Sequence, residues 1–473
     1  MQDHFEGPHV FTVERGKQPY FHVSDDTQTA QVFCYTMFDF SLSDRGAMKR
    51  FKRLVITAAI AVLLTSSYVR SVELPHVSAE SVGFSSERLA QLSSVLQSGV
   101  DASEIPGYVA LVARHGKIVF VDMRGKQDPN RDIVMSEDSI FRIYSMTKPI
   151  TSVAAMILVE EGKINLSDPV EMYLPELSDL RVIGSEEQPT AGNTTTPSIT
   201  VLDLLRHTSG LTYGFFKPYP SGGPLEQMYL DEGVNDLEID NAELVTRLSN
   251  IPLKYEPGST WFYGRSTDVL GRLIEVVSGV TLEEFFKQQI ISPLDMKDTS
   301  FRVFQDKADR LAQPFYRDLE GLILPYTDPL GSVSFEAGGQ GLTSTVRDYA
   351  RFLQMLLNEG ELGGVRILGR KTVELMTMDH LGDSIERGPL FLPGESHGFG
   401  LGFAVRTAGV RAPTMLNPMI GSVGEYYWAG YAGTFFWVDP HEDLFAIYMM
   451  QSVENLSDYA QKFKRHVLYS LVD

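Results

Sequence analysis

The chain carries a single cysteine, Cys34, among 473 residues, so no intramolecular disulfide can staple it. That residue also lies outside the region that bears the motifs below, which argues against a cysteine nucleophile. Basic residues are scarce: 41 Lys and Arg stand against 61 Asp and Glu, a formal charge of -20 with a pI near 5.0. Such a chain lacks the basic footprint that phosphate backbones require, so no nucleic-acid partner is expected. No apolar run reaches the ~20 residues of a comfortable membrane span, so stable membrane insertion is not expected. The ten histidines form no H-E-x-x-H pattern and have no cysteine partner, which leaves no metal motif and no expected cofactor. Internal repeats and low-complexity tracts are also missing.

What is present suffices for a large core: 43% apolar residues, with 27 Phe and 20 Tyr. Disorder, collagen and coiled coil are excluded on composition. Length alone suggests about three domains, fewer once targeting segments are set aside. Met48 to Arg53 is a basic cluster, and Leu54 to Leu64 is apolar except for Thr57, the layout of a secretory signal peptide. The expectation is that Met48 is the true start. Residues 1–47 would then be a non-native extension, 48–71 a signal-like segment, and the mature protein periplasmic or secreted; otherwise it is cytoplasmic. A short amphipathic anchor or a buried helix is the plainer alternative.

From Ser85 the spacing of Leu89, Leu92, Leu96 and Gly99 predicts an amphipathic helix with a glycine stop. Tyr108 to Arg114 and Lys117 to Met123 read as strands joined by a two-residue hairpin at His115-Gly116. A helix opens near Ser145 and runs to Glu161, apolar enough to be central. Residues 166–330 read as a helical domain, with helical patterns at Leu202 to Arg206 and Asp268 to Val277. Strand signals return at Phe399 to Val405, Thr434 to Val438 and Leu444 to Met450, before a closing helix from Ser457 that puts Phe463, Val467 and Leu471 on one face. The expected fold class is α/β (α+β): 72–165 and 331–473 build one sheet flanked by helices, with 166–330 inserted. Clefts between such parts are the usual substrate sites.

Ser145-Met146-Thr147-Lys148 is the one place where lysine follows serine by three residues. At a helix start this spacing sets both side chains on one face, one turn apart. Pro149 is tolerated in the first turn, and the helix dipole favours an oxyanion developing at the serine. Tyr263 follows the Pro257-Gly258 turn, and a loop tyrosine taken alone is more often a packing residue.

These stretches together resemble the class C β-lactamase and penicillin-recognising serine hydrolase superfamily, and within it the family VIII carboxylesterases. The resemblance rests on Ser145-Met146-Thr147-Lys148-Pro149, Leu204 to Leu211, Tyr263, Gly338-Gly339-Gln340-Gly341-Leu342 and Trp428-Ala429-Gly430, in order over about residues 85–470. It implies an antiparallel sheet, Ser145 as nucleophile, Lys148 and Tyr263 as the activating pair, and Gly430 on the third active-site strand. Backbone N–H groups of Ser145 and Tyr431 would form the oxyanion hole. Two positions depart from the lactamase pattern: Arg265 stands where asparagine is expected, and Trp428 replaces a lysine that would hold a β-lactam carboxylate. The substrate implied is therefore a small-molecule ester. Trp261, Phe215, Phe216, Tyr426, Trp428 and Tyr431 could line its pocket, against the plainer reading of core packing.

Serine needs a neighbour to take its proton. An ammonium at about 4 Å would favour a phenolate by about 4 kcal/mol at an effective dielectric of 20, drawing the Tyr263 pKa down before desolvation subtracts. Tyr263 could then be the base, with Lys148 acting directly as the alternative. Gly394-Glu395-Ser396-His397-Gly398 matches the G-x-S-x-G elbow, but prolines precede it and strand-like residues follow, so Ser396 is placed on a loop. His207 is expected to hydrogen-bond a turn. The reading favoured is a serine carboxylesterase; a β-lactamase or D-alanyl peptidase, an acyltransferase, and a catalytically silent penicillin-binding sensor are its rivals.

Overall fold

His115 and Gly116 both take positive φ, 55° and 69°, the geometry that a two-residue hairpin turn demands. They join strand β1 (Gly107–Arg114) to β2 (Lys117–Asp128), as the two strand-like runs and the hairpin between them predict. The computed structural model describes residues 73–183, 198–214, 223–315, 328–331, 333–389, 391–407 and 420–473. These belong to one compact unit that begins at Val69. The expected extension 1–47 and signal-like segment 48–71 lie outside the described residues.

One eight-stranded sheet organises the unit. To β1, β2 and β3 (Ile133–Val134) are added β4 (His397–Phe399), β5 (Ala404–Arg406), β6 (Tyr426–Gly430), β7 (Thr434–Asp439) and β8 (Leu444–Met450), in the order β4-β5-β6-β7-β8-β1-β2-β3. Every neighbouring pair is antiparallel. The two ends of the chain meet where β1 pairs with β8, Leu111 opposite Ile447. Both strands are buried along their whole length because helices cover both faces, and each large apolar side chain so buried contributes about 1.5–3 kcal/mol. The run expected as one strand over 399–405 is instead a turn between β4 and β5, because Gly402 adopts φ 94° and reverses the chain.

Helix α1 (Ser86–Asp101) starts where expected, with Ser85 accepting from the Arg88 N–H and Leu89, Leu92 and Leu96 buried. Gly99 does not stop it. A Cβ there would lie 1.6 Å from the Tyr459 hydroxyl, so this glycine lets the closing helix approach. Helix α2 (Thr147–Glu160) is buried along most of its length. Between residues 166 and 330 the described elements are helical, apart from a two-residue strand at Thr260–Trp261, and α3 (Ser266–Ser278) packs directly on α2. Helix α4 (Val346–Leu357) covers one face of the sheet, Tyr349 meeting Phe436 at 5.4 Å. Helix α5 (Leu456–Tyr469) covers the other, Phe463 meeting Trp437 at 5.4 Å. Phe463 and Val467 are buried as predicted, whereas Leu471 lies past the helix end and bridges to Phe84. No helix among the described residues is long and apolar enough to cross a membrane.

Candidate active site

From Ser139 to Leu158 every residue is buried except Ser145, which is half-buried. Ser145 sits in the tight turn Tyr144–Met146 that feeds α2. Tyr144 takes φ 43°, a left-handed conformation that a residue with a side chain adopts only when its surroundings impose it. Several contacts do so: the Ile143 N–H donates to the Leu342 carbonyl at 3.0 Å, the Ile143 carbonyl accepts from Thr434 Oγ1 at 3.2 Å, and Tyr349 OH donates to the Met146 carbonyl at 2.9 Å. Gly430 is required at the end of β6 because a Cβ there would lie 2.2 Å from the Ile143 carbonyl oxygen. The next residue, Tyr431, sets its ring edge-on against Tyr144 at 5.8 Å. The serine turn and the end of β6 are thus pressed together.

Lys148 lies one turn on, fully buried, with its Nζ 3.3 Å from Ser145 Oγ. The same nitrogen donates to the Gly339 carbonyl at 2.7 Å and to Tyr213 OH at 3.0 Å. Burial lowers its pKa to about 7; Asp268 works against that shift and Arg265 adds to it. A lysine so placed can lose its proton near neutral pH and accept one from a hydroxyl.

Tyr263 completes the cluster. Its ring lies 4.6 Å from Lys148 Nζ, and the Trp428 indole N–H donates to its hydroxyl at 3.3 Å. Burial raises the phenol pKa above its usual value, although hydrogen bonds with Ser145, Trp428 and Tyr213 work the other way. The expected descent toward a phenolate therefore does not occur. Desolvation outweighs those hydrogen bonds, and the Lys148 ammonium is itself destabilised by the same dry surroundings. Sequence reading missed Tyr213, whose hydroxyl bridges Lys148 and Tyr263. The signal available was its position two residues beyond the quoted Leu204–Leu211 stretch.

Several expected site residues take other places. Trp261 is fully buried, stacked on Tyr263 at 6.1 Å and packed on His207, Phe391 and Phe399, so it supports the tyrosine from behind and lines no pocket. Tyr426 is buried against Phe403. Phe215 and Phe216 lie outside the described residues. His207 does not hydrogen-bond a turn through its ring: both ring nitrogens lack partners, and the ring packs on Tyr263 at 5.0 Å. Burial lowers its pKa well below the usual value, which keeps it neutral. Arg265 turns away from Ser145 into a buried ion pair with Asp268 at 3.2 Å. Ser396 occupies a turn at φ 68° immediately before β4, with no strand leading in and no helix leading out. Among the described residues no group of His, Cys, Asp and Glu side chains is arranged to hold a metal.

Comparison with known proteins agrees with this fold. Residues 92–470 match the Beta-lactamase family. Protein Rv1367c of Mycobacterium tuberculosis is 34% identical over 370 residues, 76% of this chain and 88% of that protein. Esterase EstB of Burkholderia gladioli is 28% identical, over 74% of this chain and 87% of its own length. The solved structure of EstCE1, described as a hydrolase with promiscuous acyltransferase activity, superposes with a TM-score of 0.67 at 25% identity, covering 80% of this chain and 98% of that one. The chain belongs to the Beta-lactamase family and, within its serine-hydrolase-like members, is related to the family VIII esterases.

Proposed function

We propose that this protein is a serine carboxylesterase that hydrolyses small-molecule esters through a covalent acyl-enzyme on Ser145. The observation that carries the reading is a fully buried lysine amine, with a pKa lowered to about 7, standing 3.3 Å from the one half-exposed residue of its turn. Neutral Lys148 takes the Ser145 proton as Oγ attacks the ester carbonyl. The oxyanion gathers at the N–H groups of Ser145 and Tyr431, next to the positive end of α2. Collapse breaks the ester C–O bond, and the alkoxide leaves with a proton returned from Lys148 through Tyr263. Water then attacks the acyl carbon, giving up its proton by the same route; collapse breaks the acyl–Oγ bond, the proton returns to Ser145 Oγ, and the acid is released.

Trp428 supports esters over lactams, since an indole offers no cation for a β-lactam carboxylate. The names of EstB and EstCE1 favour the same reaction class. The second half-reaction would also accept an alcohol in place of water, the acyltransferase variant that the EstCE1 description favours. A panel of p-nitrophenyl esters run beside a chromogenic cephalosporin, with and without an added alcohol, tests the assignment. Ester turnover well above cephalosporin turnover, lost in Ser145→Ala, is the expected result. Trp428→Lys should raise the lactam-to-ester ratio, and an unchanged ratio refutes the role given to the missing cation.

A further inference from the structure

Arg265 and Asp268 form a pair of opposite charges sealed beneath the site, 1% and 0% exposed. Each of its members is tied to a neighbour of Lys148. Asp268 Oδ1 accepts the Gly339 N–H at 2.9 Å, and the carbonyl of that same residue accepts from Lys148 Nζ at 2.7 Å. A Cβ on residue 339 would lie 2.9 Å from Asp268 Oδ1, so only glycine permits this approach. On its other side Arg265 donates to the Val234 carbonyl at 3.2 Å and Asn235 Oδ1 at 2.5 Å. Its guanidinium lies 5.1 Å from the ring of Tyr213, whose hydroxyl touches Lys148.

We propose that the Arg265–Asp268 pair is a positioning device for Lys148: Asp268 anchors Gly339 so that its carbonyl holds the amine beside Ser145, and Arg265 offsets the carboxylate charge that would otherwise keep the amine protonated. The inference rests on the reading of Lys148 as the proton acceptor. The titratable and charged groups that face Lys148 are Ser145 from its own turn, His207 and Tyr213 from the segment after helix Val201–Leu205, Tyr263, Asp268 from α3 and Arg265 at the start of that helix. Burial keeps His207, Tyr213 and Tyr263 neutral near pH 7. The fixed charges in this set are those of Asp268 and Arg265, and they act on Lys148 with opposite sign.

The pair can be tested by the acid limb of kcat/KM against pH with p-nitrophenyl butyrate, because a limb midpoint does not depend on how much enzyme is folded. Loss of the carboxylate in Asp268→Asn destabilises the ammonium, so activity should persist to lower pH by about one unit. Removing the cation in Arg265→Gln stabilises the ammonium, so the limb should move to higher pH. Arg265→Lys, which keeps the charge, should return it toward wild type and serves where the glutamine variant folds poorly. Midpoints that stay at the wild-type value, or that move in the same direction in Asp268→Asn and Arg265→Gln, overturn the proposal. Its failure is distinguishable from that of the functional reading, which falls instead if Lys148→Met retains wild-type turnover.

Discussion

The Trp428 indole N–H donates to the Tyr263 hydroxyl across 3.3 Å, with the two rings 5.4 Å apart. The strand position that carries lysine in the lactamase pattern here offers a neutral donor, which occupies a lone pair of the phenol and leaves its proton for the serine side. In the proposed mechanism Tyr263 is a phenol that relays a proton. Tyr263→Phe should lower kcat by roughly a hundred- to ten-thousand-fold while KM changes little. Steady-state kinetics on a p-nitrophenyl ester will show this, and near wild-type turnover removes the phenol from the mechanism.

The two serine candidates separate sharply. Ser145→Ala should cost on the order of a million-fold in kcat, whereas Ser396→Ala should leave turnover nearly unchanged. Intact-mass spectrometry after brief exposure to a slowly deacylating ester should find one acyl group, on the peptide containing Ser145. The opposite ranking hands the chemistry to the turn before β4.

A pH profile follows from the buried amine. Lys148 must be neutral to accept a proton, and its pKa is lowered to about 7 by burial. Activity should be present above that pH and fall as the pH drops through it and the amine gains its proton. A profile of kcat/KM that stays flat well into the acid range would deny the amine this role.

Gly430→Ala should damage both stability and turnover. The added methyl group would lie 2.2 Å from the Ile143 carbonyl oxygen and 2.2 Å from Thr434 Oγ1, so β6 and the serine turn must part. Overpacking of this kind costs about 1–3 kcal/mol. Urea unfolding measures the stability loss, and kcat should fall in the fraction that remains folded. A variant with unchanged midpoint and rate would contradict the close contact.

Glu425→Gln should destabilise the fold without touching the site chemistry. Glu425 meets Arg406 at 2.7 Å and Lys464 at 2.7 Å, with all three side chains buried between β5, the start of β6 and α5. Taking away the anion leaves buried cations uncompensated, a loss of about 3–5 kcal/mol. Chemical denaturation should report it, while kcat of the folded enzyme stays near wild type.

The chain by itself determined what depends on local pattern. The two strand-like runs and the His115-Gly116 turn set the first hairpin, the leucine spacing set α1, and the Ser145 to Lys148 spacing set two side chains one turn apart. Tertiary structure decided everything that depends on which distant segments share a dry space. Tyr213 touches Lys148 only because the loop after helix Val201–Leu205 folds over α2, Arg265 faces inward because Asp268 awaits it there, and Gly99 serves α5 although it lies in α1. The direction of the proton shifts belongs to this second class. Coulomb attraction between Lys148 and Tyr263 could be reasoned from the motif, but the desolvation that raises the phenol's pKa and lowers the amine's exists only once the sheet, α2 and the helical region have closed around both groups.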